Sequence, residues 1–286
     1  MASPILIHEI DALAPYGDGS LVPTMGALHD GHVSLIRAAR SLGGPVITSV
    51  FVNPTQFAPG EDFDSYPRDL DRDLDLAGMA GCDVVFAPSA RSMYPEGPEA
   101  SVSLAEASPL PEVARSPRLE DGDRPRFFGG VCLVVERLLR QCRPARAIFG
   151  EKDWQQLQVV RAMVRDTSDL AHIPIVSAPT IRESDGLAMS SRNRRIPTAE
   201  RPRALGVVKA LQVAQAAQHP ETAETLMRET LLAHDLEVDY AVVRHPETLG
   251  PVHDLTEPSR ALVAARLRWA DEEVRLIDNR AMTVWP

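Results

Sequence analysis

Two histidines three residues apart, His29 and His32, are the first pair whose type and spacing suit chemistry. They close the stretch Leu21-Val-Pro-Thr-Met-Gly-Ala-Leu-His-Asp-Gly-His32. Positions i and i+3 of a helix share a face, and imidazoles donate hydrogen bonds to phosphate oxygens. Leu21-Val22 reads as the end of a buried strand. Pro23, Gly26 and Gly31 mark a tight loop, and Leu35, Ile36 and Ala39 give one face of the helix that follows. Such a turn suits phosphate: backbone N–H groups are expected to point outward unpaired, and the helix dipole favours negative charge. Zinc fits less well, because His-Glu-x-x-His sits within a helix and carries a glutamate beside the first histidine.

Three further turns carry polar groups. Ala147-Ile-Phe-Gly150 reads as a strand running into Glu151-Lys152-Asp153-Trp154 and a helix with Leu157, Val160 and Val164. Of the 30 basic residues only Lys152 and Lys209 are lysines, and a lysine is a compact point charge suited to phosphate. Thr180 to Arg192 offers Ser190, Ser191 and Arg192 in succession, which also suit phosphate oxygens; a capped loop joining two domains is the structural alternative. Asn53 and Gln56 follow the β-branched run Val46–Val52. Ligands gather at the carboxyl ends of parallel strands, so both residues are candidates to read a polar small molecule. Asn53-Pro54 is also ordinary turn chemistry.

The elements around these turns alternate. Val46–Val52, Asp83–Ala87 and Ile173–Ala178 read as strands, and Val131, Val134, Val135, Leu138 and Leu139 form the inner stripe of a helix opening at Gly130. Residues 1–178 are therefore expected to form a Rossmann-like α/β domain with a doubly wound parallel sheet. Neither a dinucleotide fingerprint nor a P-loop occurs. The acidic stretch Glu61, Asp62, Asp64, Asp69, Asp71, Asp73 and Asp75 reads as a solvated helix start rather than a Mg²⁺ site. Residues 88–124, rich in Pro, Ser, Glu and Gly, read as a long surface excursion and a candidate lid. Residues 179–286 read as a smaller α+β domain, expected to act as a cap. Its helices fall at 199–218 and 222–235, its strands at Val238–Val243, Ala261–Arg268 and Val274–Ile277.

Composition narrows the classes. At 286 residues and 44% hydrophobic, two domains are natural. No apolar run reaches the roughly 18 residues that a membrane span needs. The N-terminus lacks a basic region and a long apolar region, so no signal peptide is expected. Cys82, Cys132 and Cys142 lack metal spacing, and Cys132 reads as core; a reducing cytoplasm is expected. A net charge of −10 argues against nucleic acid.

The stretch Pro23–His32 resembles the His-x-Gly-His loop of the nucleotidylyltransferase superfamily. Taken with Phe51-Val-Asn-Pro-Thr-Gln-Phe57, Tyr66-Pro-Arg68, Phe149-Gly-Glu-Lys-Asp153 followed by Gln155-Gln156, and Asp185-Gly-Leu-Ala-Met-Ser-Ser-Arg-Asn193, it resembles the pantoate–β-alanine ligase family. The motifs occur in that family's order and spacing. The resemblance spans essentially the whole chain, through Leu276-Ile-Asp-Asn279. It implies condensation of pantoate with β-alanine at the expense of ATP, through a pantoyl adenylate. It also implies a homodimer, and Mg²⁺ arriving with ATP. ATP-contacting positions then fall at Met25, Gly26, Ala27, Leu28, His29, Asp30, Gly31, His32, Gly150, Glu151, Lys152, Asp153, Ile181, Met189, Ser190, Ser191 and Arg192. His32 matches the position of the catalytic acid, with His29 and Lys152 beside it as catalytic candidates. Gln56 and Gln156 match the pantoate-holding positions, Gln56 also the β-alanine position, with Asn53 as a further substrate candidate. Three positions depart from the family: Phe127 stands where it has His, Trp154 where it has Tyr or Phe, and Arg72 where some members carry a carboxylate. Phe127 bears on substrate contacts near Arg124, and no metal ligand is assigned around Arg72. Two rival readings are a non-catalytic nucleotide sensor and a nucleotidylyltransferase that leaves the nucleotide on a phosphorylated acceptor. That acceptor needs a basic pocket, whereas Gln56 and Gln156 are neutral.

Overall fold

The computed structural model describes residues 3–282 except 59 and 62. Met1 and Ala2 of the N-terminus, and Asp62 of the acidic stretch, lie outside the described residues. The chain forms two compact units. The first comprises residues 1–151 and 155–179, the second residues 152–154 and 180–286.

The first unit is built on a six-stranded parallel sheet. Its strands are β1 (Ile5–Ile7), β2 (Ser20–Thr24), β3 (Val46–Val50), β4 (Val84–Phe86), β5 (Arg146–Gly150) and β6 (Ile175–Ala178), in the order β1-β4-β3-β2-β5-β6. Val46, Ile47, Val84, Val85 and Phe86 are wholly excluded from solvent, as β-branched runs between two helical layers must be. β1 has no counterpart in the sequence reading. It has three residues at a sheet edge with Ile5 and Leu6 exposed, too short to show a period. The principal helices are α1 (Asp30–Ser41) and α2 (Leu70–Ala80). Asp69 caps α2 by accepting from the Arg72 N–H at 3.2 Å, and Gly81 ends it in the left-handed conformation at φ +92°.

Residues 88–124 are not an irregular excursion. They form α3 (Ala90–Met93), α4 (Pro98–Ala107), a 3₁₀ turn at Glu112–Ala114 and α5 (Glu120–Asp123). Met93, Tyr94, Ala105, Ala114 and Leu119 are buried. Each helix is too short to display a period, so composition alone suggests a loop. Gln155 pins the segment. Its Oε1 accepts from the Glu120 N–H, and its Nε2 donates to the Val113 carbonyl and to Asp121, each at 2.8 Å.

α6 (Phe127–Cys142) and α7 (Trp154–Asp166) complete this unit, although Trp154 itself groups with the second. α6 begins three residues before Gly130, and Gly130 serves close packing. A Cβ there would stand 2.4 Å from the Thr55 carbonyl oxygen and 2.6 Å from the Gln56 nitrogen. Gly130→Ala should therefore force the Pro54–Gln56 turn off α6 and destabilise the fold by about 1–3 kcal/mol, the usual range for overpacking. Urea midpoints measure this. Gly122→Ala, whose nearest neighbour would be 3.7 Å away, is the matched control and should stay near wild type.

The second unit packs α8 (Arg201–Ala204), α9 (Gly206–Ala214) and α10 (Pro220–Ala233) with an antiparallel sheet of β7 (Glu237–Arg244), β8 (Arg260–Trp269) and β9 (Glu272–Ala281). Val207, Leu211, Met227, Leu231, Val243, Val263 and Leu267 form its dry core. The single helix expected at 199–218 divides at Leu205. No helix among the described residues is long and apolar enough to cross a membrane.

Candidate active site

The strand order reverses direction at β2, which has β3 on one side and β5 on the other. In doubly wound sheets ligands bind at the carboxyl ends of strands near such a reversal. The loop leaving β2 carries the histidines. His29 is the N-cap of α1, and its Nδ1 accepts from the Gly31 N–H at 3.1 Å. That contact makes Nε2 the protonated nitrogen of a neutral His29. The His29 and His32 rings lie side by side, 4.1 Å between centroids.

The loop's backbone donors do not point outward as the sequence suggests. Gly26 donates to Thr24 Oγ1 at 3.1 Å, Ala27 to Asp73 Oδ2 at 3.0 Å, and Leu28 to Asp73 Oδ1 at 2.7 Å. A buried loop must satisfy its N–H groups internally. These three N–H groups therefore shape the loop, and the Leu28 side chain lies in the core. Gly26 and Ala27 both adopt positive φ, +82° and +51°. Ala27 holds that costly conformation because Asp73 accepts the N–H groups of the peptides on either side of it.

Asp73 is the residue that sequence reasoning misses. By sequence it belongs with the solvated carboxylates of the acidic stretch, but it is 1% exposed. Burial pushes its carboxyl above the ordinary range, against the pull of the Leu28 and Ala27 N–H groups. The available signal is its position: Asp73 lies on the buried face of α2 with Ala77 and Ala80, where an unpaired carboxylate is not tolerated.

The turn after β3 supplies the amides. Gln56 is half-buried, with Nε2 3.3 Å from Met25 Sδ and Oε1 accepting from Asn53 Nδ2 at 3.0 Å. Asn53 is wholly buried and also bonds Gly130, Thr55 and Tyr94. It stands behind Gln56 and supports its amide. Gln156 lies half-buried on the first turn of α7. Arg124 pairs with Glu61 at 2.7 Å and donates to the Gln56 carbonyl at 3.2 Å. Its guanidinium lies 4.1 Å over the Phe127 ring, the residue that replaces the family's histidine.

Most of the remaining candidates lie in the second unit. Lys152 is held through its backbone, whose carbonyl accepts from Asn279 Nδ2 at 2.8 Å; its ammonium is 3.4 Å from Asp153. Trp154 donates to the Pro246 carbonyl at 2.7 Å, and Arg260 stacks 3.3 Å over its ring. Ile181 and Met189 are joined across a narrow hairpin, Met189 N–H to Ile181 carbonyl at 2.9 Å. Arg182 forks onto the buried Asp278 at 2.6 and 3.1 Å, which anchors that hairpin. Ser190 caps the 3₁₀ turn Ser191–Arg195 by accepting from the Arg192 N–H at 3.3 Å. Gly150 ends β5, and Glu151 donates its N–H to Ala178, both in the first unit. Among the described residues no three His, Cys, Asp or Glu side chains gather as a metal site.

Comparison with known proteins gives concordant matches. Residues 10–281 match the family described as pantoate-beta-alanine ligase. The chain is 45% identical over 283 residues to the pantothenate synthetase of Bradyrhizobium sp. strain BTAi1, covering 97% of this chain and 95% of the relative. It is 46% identical to that of Rubrobacter xylanophilus, over 93% of this chain and 92% of the relative. The crystal structure of pantothenate synthetase from Thermus thermophilus superposes with a TM-score of 0.87 at 39% identity, covering 97% of this chain and 99% of that one. A pantoate-beta-alanine ligase from Francisella tularensis, complexed with beta-gamma ATP and beta-alanine, gives 0.77 at 30% identity, covering 98% of each chain.

Proposed function

The chain belongs to the pantoate–β-alanine ligase family, and from that premise we propose how its residues share the reaction. It is an enzyme that joins pantoate to β-alanine with ATP as co-substrate. A carboxylate and an amine do not condense in neutral water. The pantoate carboxylate oxygen therefore attacks the α-phosphorus of ATP, and the bond to pyrophosphate breaks. The β-alanine amine then attacks the acyl carbon of the adenylate. The nitrogen loses a proton, the acyl C–O bond breaks, and AMP leaves with its electron pair.

His29 and His32 bind phosphate oxygens, with His32 as the proton donor to the departing group. Lys152, Ser190, Ser191 and Arg192 supply further cationic and hydroxyl donors, on the strength of the family resemblance. Asp30, Asp153, Glu151, Gly150, Gly31, Met25, Ile181 and Met189 belong to the same ATP assignment. Gln56 and Gln156 hold pantoate through neutral amides. Mg²⁺ would arrive with ATP and offset the charge of the triphosphate; no protein carboxylates are assigned to it. A homodimer in the cytoplasm completes this reading, and the buried free thiols of Cys82, Cys132 and Cys142 accord with a reducing compartment.

The observation that carries the site assignment is the paired histidine rings at the carboxyl end of β2, held there by a buried carboxylate. Incubation with ATP, Mg²⁺, pantoate and β-alanine should yield pantothenate and AMP by mass, and neither product should form when either acid is omitted. Pantoate alone should support exchange of labelled pyrophosphate into ATP. Retention of the nucleotide on the final product would establish the nucleotidylyltransferase alternative instead.

A further inference from the structure

The Asn53 amide sits between two backbone groups whose hydrogen-bonding roles are chemically fixed. One end lies 3.2 Å from the Thr55 N–H, which only donates, so that end is the oxygen. The other lies 3.1 Å from the Gly130 carbonyl, which only accepts, so that end is the nitrogen. Nδ2 therefore donates to Gln56, and the atom receiving it is the Gln56 oxygen. The Gln56 amide is turned with Oε1 inward and its NH₂ towards Met25 Sδ. Amide orientation is ordinarily ambiguous, but here two backbone groups decide it.

Tyr94 closes the lock from the segment after β4. Its hydroxyl donates to Asn53 Oδ1 at 2.6 Å, and the residue is 1% exposed. Burial pushes the phenol up to about 12, so it keeps its proton and remains a donor. Arg137 lies 4.9 Å over the Tyr94 ring and pairs with Glu96 at 2.5 Å, which fixes the ring in place.

We propose that Tyr94 is a positioning residue: by donating to the Asn53 oxygen it holds in place the amide whose orientation the backbone sets, and so keeps Gln56 with Nε2 facing a hydrogen-bond acceptor of the substrate. The acceptor is a carboxylate oxygen of the hydroxy acid, which has no proton to donate. An inverted amide would present oxygen to oxygen and repel it. This rests on the reading of Gln56 as a pantoate residue.

Steady-state kinetics of the full chain test it with three variants. Tyr94→Phe removes one donor and keeps the ring; it should raise KM for pantoate about five- to tenfold, the worth of one net hydrogen bond, and leave KM for ATP unchanged. Asn53→Asp replaces the Nδ2 donor with an acceptor and should raise KM for pantoate at least as much, so the proposal stays testable if Tyr94→Phe folds poorly. Gln56→Ala should raise it too, and adding Tyr94→Phe to Gln56→Ala should raise it no further. If Gln56→Ala raises KM while Tyr94→Phe and Asn53→Asp leave it unchanged, the relay is wrong and the Gln56 reading stands. If Gln56→Ala leaves KM for pantoate unchanged, the Gln56 reading falls and the relay with it. A parallel rise in KM for ATP and pantoate in Tyr94→Phe would mean general loosening and would overturn the proposal.

Discussion

Lys152→Ala should lower kcat by about a hundred- to a thousandfold, the range seen when one preorganised charge donor to a transition state is removed. Charge builds on phosphate oxygens as pantoate attacks ATP, and an ammonium placed for that charge contributes little to the ground state. The fold should survive. Asn279 holds the Lys152 backbone carbonyl, not its side chain, and the ammonium's neighbour Asp153 is a half-exposed carboxylate 3.4 Å away. Pairs of this kind contribute roughly 0–1 kcal/mol to stability. The assay is single-turnover adenylate formation alongside thermal melting. Turnover near wild type in a folded Lys152→Ala protein would remove Lys152 from the chemistry. His32→Ala belongs to the same test, with a similar loss expected. The double variant should lose less than the product of the two, because groups acting on one transition state are not additive.

Asp73→Asn should separate activity from stability. Asn keeps the volume but offers one acceptor where the carboxylate offers two. One of the Ala27 and Leu28 N–H groups then faces an NH₂ and loses its partner. The loop that carries His29 shifts, and misplacement of about 1 Å costs roughly a hundredfold in rate. Stability moves in the other direction on one count. Burial raises the Asp73 pKa above its ordinary 3.8, so the folded chain binds its proton more tightly than the unfolded one. The cost of burying the ionised carboxylate is present at neutral pH and is relieved as pH falls through the raised pKa. Removing the charge therefore offsets part of the lost hydrogen bond, and unfolding free energies from urea titration at pH 7 should differ by less than about 2 kcal/mol. Asp73→Ala orphans both N–H groups and should cost roughly 1–3 kcal/mol for each. A fully active Asp73→Asn would show that the loop does not need its carboxylate.

These two residues mark how far the sequence can be read. Lys152 is legible because its motif is local: a strand, Gly150, a charged turn and a helix start are contiguous in the chain. His29 with His32, and Gln56 after β3, are legible for the same reason. Asp73 is not, because its partners Ala27 and Leu28 lie about 45 residues away in the chain and only α2 packing beside α1 brings them together. Asn53 is half-legible. Its place at a strand end is visible, while its complete burial against Gly130 and Tyr94 is not. The short helices of 88–124 escape notice because a period needs length, and Gln155 reads only as part of a motif although it pins that segment.

The sequence by itself determined the alternation of strands and helices, the family and the residues of the chemically rich turns, since these follow from periodicity and contiguous motifs. Tertiary structure alone decided which polar groups face inward: the donors of the histidine loop turn to Asp73, and the Gln56 amide turns to Asn53. The physical reason is that a hydrogen bond is satisfied by whatever lies nearest in space, and burial penalises a donor or acceptor that finds no such partner.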